Sequence, residues 1–179
     1  TPTLSSAASD VYKRQLKSAS KVKDREFRNL ITWMYLKTTR NGASFSEYKN
    51  FIEQSNNYPR INRIRFLAEG KIYLRNNSPT SIINWFDKYP PLGGIGKIKL
   101  AEAYLEKGQA DKVGELIKEG WETATISKND LGYYRAKFKK FIDSEDHIKR
   151  ADYLAWEKKY WDLKRLSLIH ISEPTRPTL

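Results

Sequence analysis

The sequence has no cysteine, one methionine and two histidines, and each shortage removes a class of function. Without thiols, disulfides and thiolate metal sites are excluded. His147 and His170 leave little for a metal site or a serine–histidine machine. No apolar run approaches the ~18 residues that would span a bilayer. Alternating segments bounded by turn pairs are also missing, so no sheet is expected.

What is present is charge and aromatic bulk. Apolar residues make up 39% of the chain and charged residues 30%, the balance of a folded chain rather than a disordered one. With 179 residues, roughly 70% of the unfolded surface can be buried, enough for a core that takes up five Trp and eleven Tyr. The excess of 33 basic over 21 acidic residues gives +12, a bias toward anionic partners or surfaces. A basic surface with no specific partner is the plain alternative. Lys137, Lys139, Lys140 and Lys158, Lys159 lie beside acidic residues, as solvated helix faces do.

Residues 1–15 show neither helical nor strand periodicity, and residues 167–179 contain Pro174 and Pro177, which no helix interior tolerates. The pieces SSAASDVYKRQ and SLIHISEPTRP resemble translated sequencing-adapter read-through. Both ends are therefore expected to be foreign tails, and the chain a fragment. The remaining domain, residues 16–166, keeps a charge of +11.

Between these ends the pattern is helix after helix. One is expected from about Lys23 to Lys37, with Phe27, Leu30, Ile31, Met34 and Tyr35 on one stripe. Asn41-Gly42 stops it, and Ser44 with Glu47 forms a capping box for the next, which carries Phe45, Tyr48, Phe51 and Ile52 inward. A third carries Ile61, Ile64, Leu67, Ala68 and Ile72. Asn76-Asn77-Ser78-Pro79 is a turn with Pro at the first helical position of the fourth, which carries Ile82, Ile83, Trp85 and Phe86 and ends at Tyr89-Pro90-Pro91. A fifth, with Ile98, Leu100, Ala101, Tyr104 and Leu105, closes on Gly108. Ala110, Val113, Leu116, Ile117 and Trp121 mark a sixth. Asn129-Asp130 caps a seventh with Leu131, Tyr134, Phe138 and Phe141, and Ser144 caps one long last helix to about Leu166, with Tyr153, Trp156, Tyr160 and Leu163 on its inner face. Helix centres recur about every 17 residues, which predicts an all-α, tetratricopeptide-like solenoid: a right-handed superhelix of antiparallel helix pairs, clearest over Leu100–Val113.

No residue is expected to be catalytic, cofactor-binding or metal-binding. Gly93-Gly94-Ile95-Gly96-Lys97 suggests a phosphate cradle, but Pro91 and Ile98 occupy the places where a P-loop needs Gly and a hydroxyl, and a helix-to-helix turn fits better. Glu102 and Glu106, spaced i, i+4 among lysines, read as a solvated face rather than an acid/base pair. Asp143, Glu145 and Asp146 read as helix N-terminal acids. His147, without partners at a motif spacing, reads as structural. The run Tyr133, Tyr134, Arg135, Lys137, Phe138, Lys139, Lys140, Phe141 interleaves aromatic and basic residues as a nucleic-acid surface does. A buried aromatic stripe opposite snorkelling lysines explains it better, so no nucleic-acid partner is expected.

The stretch Trp85–Pro91 through Lys97–Gly108, then Leu116–Trp121, resembles the helical superhelix of soluble lytic murein transglycosylases. Asp146-His147-Ile148-Lys149-Arg150-Ala151-Asp152-Tyr153-Leu154-Ala155-Trp156 is similar to that family's DH-x-x-R-x-D-x-L-x-W pattern, so the resemblance covers roughly residues 58–166. It implies a periplasmic enzyme that cleaves peptidoglycan glycan strands, with a separate lysozyme-like domain whose essential glutamate sits in a Glu-Ser pair. This chain has no Glu-Ser dipeptide, so no catalytic residue carries over. The expected role is a scaffold that guides glycan for a catalytic domain lying elsewhere, and the alternative is a tetratricopeptide-like adaptor for protein partners.

Overall fold

The computed structural model describes residues 11, 14, 18, 24–39, 41–55 and 57–171. Most of the amino-terminal tail, and residues 172–179 of the carboxy-terminal one, thus lie outside the described residues. Among the described residues there are nine α-helices, one short 3-10 turn and no strand. None of the helices is long and apolar enough to cross a membrane. The chain divides between Asn76 and Asn77 into two compact units, at the turn that precedes Pro79.

The first unit contains α1 (Arg25–Leu36), α2 (Phe45–Gln54) and α3 (Ile61–Glu69). Asp24 opens α1 by accepting from the N–H groups of Glu26 and Phe27. The other end of α1 leaves carbonyls that no helical N–H can reach. The buried Asn41 supplies the donor: its Nδ2 lies 2.9 Å from Thr38 O and 3.1 Å from Tyr35 O, while its Oδ1 accepts from Ala43 N. Tyr48, from α2, donates its hydroxyl to Leu36 O at 3.0 Å and accepts from Asn41 Nδ2 at 2.8 Å. Asn41 therefore stops α1 through its side chain. Ser44 and Glu47 form the expected capping box, and Phe45, Tyr48, Phe51 and Ile52 are buried. Two expectations fail here. Phe27 and Leu30 are exposed because α1 buries its far end, at Tyr35 and Leu36, and Ile72 is buried beyond the end of α3 rather than on it.

The second unit contains α4 (Pro79–Lys88), α5 (Gly94–Glu106), α6 (Gly114–Thr123), α7 (Lys128–Lys137), α8 (Ser144–Trp156) and α9 (Tyr160–Ile171). Consecutive helices pack along α4–α5–α6 and α8–α9, and α8 returns onto α6. The core gathers Ile98 and Ala101 of α5, Val113, Ile117 and Trp121 around α6, and Leu131, Tyr134 and Phe138 around α7. Trp121 is fully buried, and an indole of ~200 Å² at ~25 cal/mol per Å² contributes on the order of 5 kcal/mol.

Helices α5 and α6 approach closely because both are glycine at the contact. A Cβ on Gly94 would sit 2.5 Å from Ala124 N, and one on Gly120 would sit 3.0 Å from Gly94 O. Gly108 has a different task. Its φ of 71° continues α5 into a left-handed cap, with Gly108 N bonded to Leu105 O and Gln109 N to Tyr104 O.

The single long last helix expected from Ser144 is two helices. Lys158 adopts φ 55°, and the bonds Lys158 N to Ala155 O and Lys159 N to Leu154 O repeat the same cap with lysine in the glycine position. The break puts Trp156 and Tyr160 in solvent, at 85% and 63% exposure, instead of on an inner face. Helix α9 also runs past Leu166 to Ile171, so the start of the expected carboxy-terminal tail is helical. Two caps differ from expectation as well: Ser127 opens α7, and Asp143 with Asp146 forms the capping box of α8.

Gly94→Ala is expected to lower stability by about 1–3 kcal/mol, because the added methyl meets backbone that cannot yield. Gly132→Ala, within α7 and facing open space, should raise it by up to about 1 kcal/mol. Urea midpoints of the two variants moving in the same direction would refute this account. Tyr48 gives a pH-dependent check. Burial pushes its phenol up to about 12, against about 10 unfolded, so its stabilisation is intact below about pH 10 and is lost as pH rises toward 12. The urea midpoint of Tyr48→Phe should therefore fall less steeply than that of the parent between pH 10 and 12.

Candidate functional site

The glycine-rich stretch is accounted for by packing. Gly93 is the extended residue before α5, and Gly94 and Gly96 are buried within its first turn. Lys97 is turned to Glu119 of α6, with Nζ 2.5 Å from Oε2. The segment was expected to be a turn between helices, but only Gly93 lies in the connection, and Gly94 to Lys97 form the first turn of α5.

Glu102 and Glu106 do not form the expected solvated face. Glu102 points from α5 toward α7, and its side chain is 4% exposed. Tyr133 donates its hydroxyl to Oε1 at 2.5 Å, and Lys137 Nζ lies 3.1 Å from the same oxygen and 2.7 Å from Glu106 Oε1. Burial alone would lower the Lys137 pKa. Its bonds to Glu106, Tyr133 and Glu102 outweigh that and hold it above the ordinary lysine value. Burial, reinforced by Glu102, raises the Tyr133 phenol. One lysine thus ties two carboxylates and a phenol into a cross-brace between α5 and α7. Lys137 was expected to snorkel away from the aromatic stripe, and is drawn inward instead. Tyr134 and Phe138 do lie in the core, stacked with ring centroids 6.2 Å apart.

The acids at the start of α8 divide their work. Asp143 Oδ1 accepts from the N–H groups of Glu145 and Asp146, and Asp146 Oδ2 accepts from Asp143 N at 3.0 Å. Lys118 of α6 lies 3.1 Å from Asp143 and 3.3 Å from Asp146. The bond from Asp146 N, with Lys118 beside it, holds the Asp143 carboxyl below its usual value. Glu145 faces solvent and pairs with Lys149. Among the described residues, no three acids or histidines cluster to hold a metal ion.

His147 has a partner that the sequence did not reveal. Trp121 Nε1 donates to its Nδ1 at 3.3 Å, and the two rings meet edge to face at 5.5 Å. One helical turn on, the buried Arg150 donates to Trp121 O through one amino group and to Ala124 O at 3.0 Å through the other. Its guanidinium also lies 5.0 Å from the Trp121 ring. Burial pushes Arg150 down to about 10, so it remains charged at neutral pH. Two carbonyls of a helix end, three residues apart and buried, are what this fork satisfies. The result is a clamp in which Asp146, His147 and Arg150 fix α8 on the last turn of α6, with Leu154 buried behind them.

Arg150→Met should cost on the order of 2–4 kcal/mol, because two buried carbonyls lose their donors. His147→Phe keeps the ring packing but leaves the Trp121 Nε1–H without its acceptor, and should cost about 1–2 kcal/mol. Guanidinium-chloride melts read by tryptophan emission would reveal the order, and equal losses would mean that the fork carries no special share.

Compared with known proteins, the chain matches no family, no curated protein and no solved structure.

Proposed function

We propose that the chain is the helical scaffold of a peptidoglycan lytic transglycosylase, guiding glycan strands while cleavage is performed by a domain outside these 179 residues. The arrangement in this reading is a right-handed superhelix of antiparallel helix pairs, and the compartment is the periplasm. One observation carries the proposal. Of the positions that carry the DH-x-x-R-x-D-x-L-x-W resemblance, Asp146, His147, Arg150 and Leu154 are engaged in helix packing. A pattern with structural work of this kind is what a scaffold needs and a catalytic centre does not. The helix spacing of about 17 residues, the return of α8 onto α6 and the brace from α5 to α7 are consistent with stacked helix pairs. The charge of +12 favours an anionic polymer over a neutral one.

The full chain should sediment with purified peptidoglycan sacculi at low salt, leave them as salt rises, and release no soluble glycan fragments. Protein that stays in the supernatant at low salt would overturn the glycan role and leave the adaptor reading, in which the exposed Trp156, Tyr160 and Trp161 meet a protein partner.

A further inference from the structure

Burying an aromatic ring is among the largest contributions a side chain makes to a fold. At the corner between α8 and α9 three rings stand in water instead: Trp156 is 85% exposed, Trp161 69% and Tyr160 63%. The corner that carries them is held firmly. Lys158 keeps φ 55°, a conformation that residues with a Cβ avoid. It persists because Lys158 N bonds back to Ala155 O and Lys159 N to Leu154 O, while Leu154 and Leu166 anchor the two helices in the interior. Backbone kept in a sparsely populated conformation by its surroundings gathers at ligand sites. Here it sets Trp156 at the end of α8 and Tyr160 at the start of α9. Tyr160 and Trp161 meet edge to face with centroids 5.4 Å apart, and a ring pair fixed in this way gives up little freedom on binding.

Two features choose the occupant. The first is area. Rings of this kind carry ~150–250 Å² each, so these three leave roughly 500 Å² open, short of the ~800 Å² per partner that a stable protein interface buries. The surroundings do not extend the patch, because Asp152, Glu157 and Lys158 are exposed and charged, and the exposed Ile148 lies two turns back along α8, beyond Asp152. The second is the combination of flat apolar faces with a charged rim. A pyranose whose substituents are all equatorial has the matching form: its axial C–H bonds make two flat apolar faces, and its hydroxyls make a polar edge. The C–H groups pack on the electron-rich face of an indole, and the hydroxyls are left for donors and acceptors such as Lys158 and Glu157.

We propose that the corner between α8 and α9 binds the flat face of a β-linked pyranose chain, with Trp156, Tyr160 and Trp161 as its stacking rings. The inference takes its sugar class from the glycan reading above and adds the surface that would meet the sugar. Single-stranded nucleic acid also stacks on aromatic rings, but Asp152 and Glu157 beside Trp156 repel its phosphates.

The test uses the full chain and a β-1,4-linked N-acetylglucosamine tetramer, with α-linked maltotetraose as control, by calorimetry. The β-linked chain is expected to bind more tightly than the control and to shift the Trp156 indole N–H resonance. Trp156→Ala should weaken it roughly fivefold, the scale of one aromatic contact, and leave the melting temperature unchanged because so exposed a ring carries little of the fold. Trp156→Phe, which keeps a flat ring, should recover much of that loss. Equal binding of the two tetrasaccharides, undiminished affinity in Trp156→Ala, a dimer of the chain that Trp156→Ala abolishes, or a thymidine oligonucleotide that displaces the sugar would each overturn the proposal. Any of these in a chain that still sediments with sacculi removes this surface and leaves the scaffold reading in place. A chain that misses the sacculi but binds the tetramer through Trp156 upholds the proposal and removes the scaffold reading.

Discussion

The last turn of α6 is where the second unit is decided. Its carbonyls at Trp121 and Ala124 end a helix inside the protein, where water cannot reach them cheaply, and only an outside donor can satisfy them. Arg150 supplies that donor, but it can do so only if α8 lies across α6 at one position and one rotation. The neighbouring contacts follow from that position. His147 meets the indole edge, Asp146 and Asp143 meet Lys118, and Gly94 leaves room for α5 to press on Ala124 from the other side. A buried charge is costly to desolvate, so its gain here is specificity of docking as much as energy.

How much of this was legible in the sequence depended on whether a local signal existed. Ser44 with Glu47, Pro79 after Ser78, and Gly108 are local devices, and each stands where its sequence signature puts it. The break at Lys158 uses the same cap geometry as Gly108, but with a residue that carries no signature, so one helix was expected where two exist. Trp156 and Tyr160 then fell on the wrong face for the same reason. The caps of α7 and α8 were shifted by a few residues because Ser, Asp and Asn crowd together there, and propensity does not choose among them.

The site was less legible than the fold. Glu102 and Lys137 are 35 positions apart, and a charge on a helix reads as solvated until its partner helix is known. The only hint was the company Glu102 keeps: Ala101 and Ala103 are small residues that let another helix come near. Arg150 and His147 were visible as part of a pattern, but their common partner, Trp121, is 26 to 29 positions away.

The indole of Trp121 has a consequence of another kind, an optical one. It is fully buried and in contact with an imidazole, while Trp156 and Trp161 stand in solvent. Emission from the chain is thus a sum of a blue component from the interior and a red component from the surface. Trp85 of α4 is buried as well, so the blue component comes from both indoles, and a drift of the emission toward the red reads the opening of the second unit's interior.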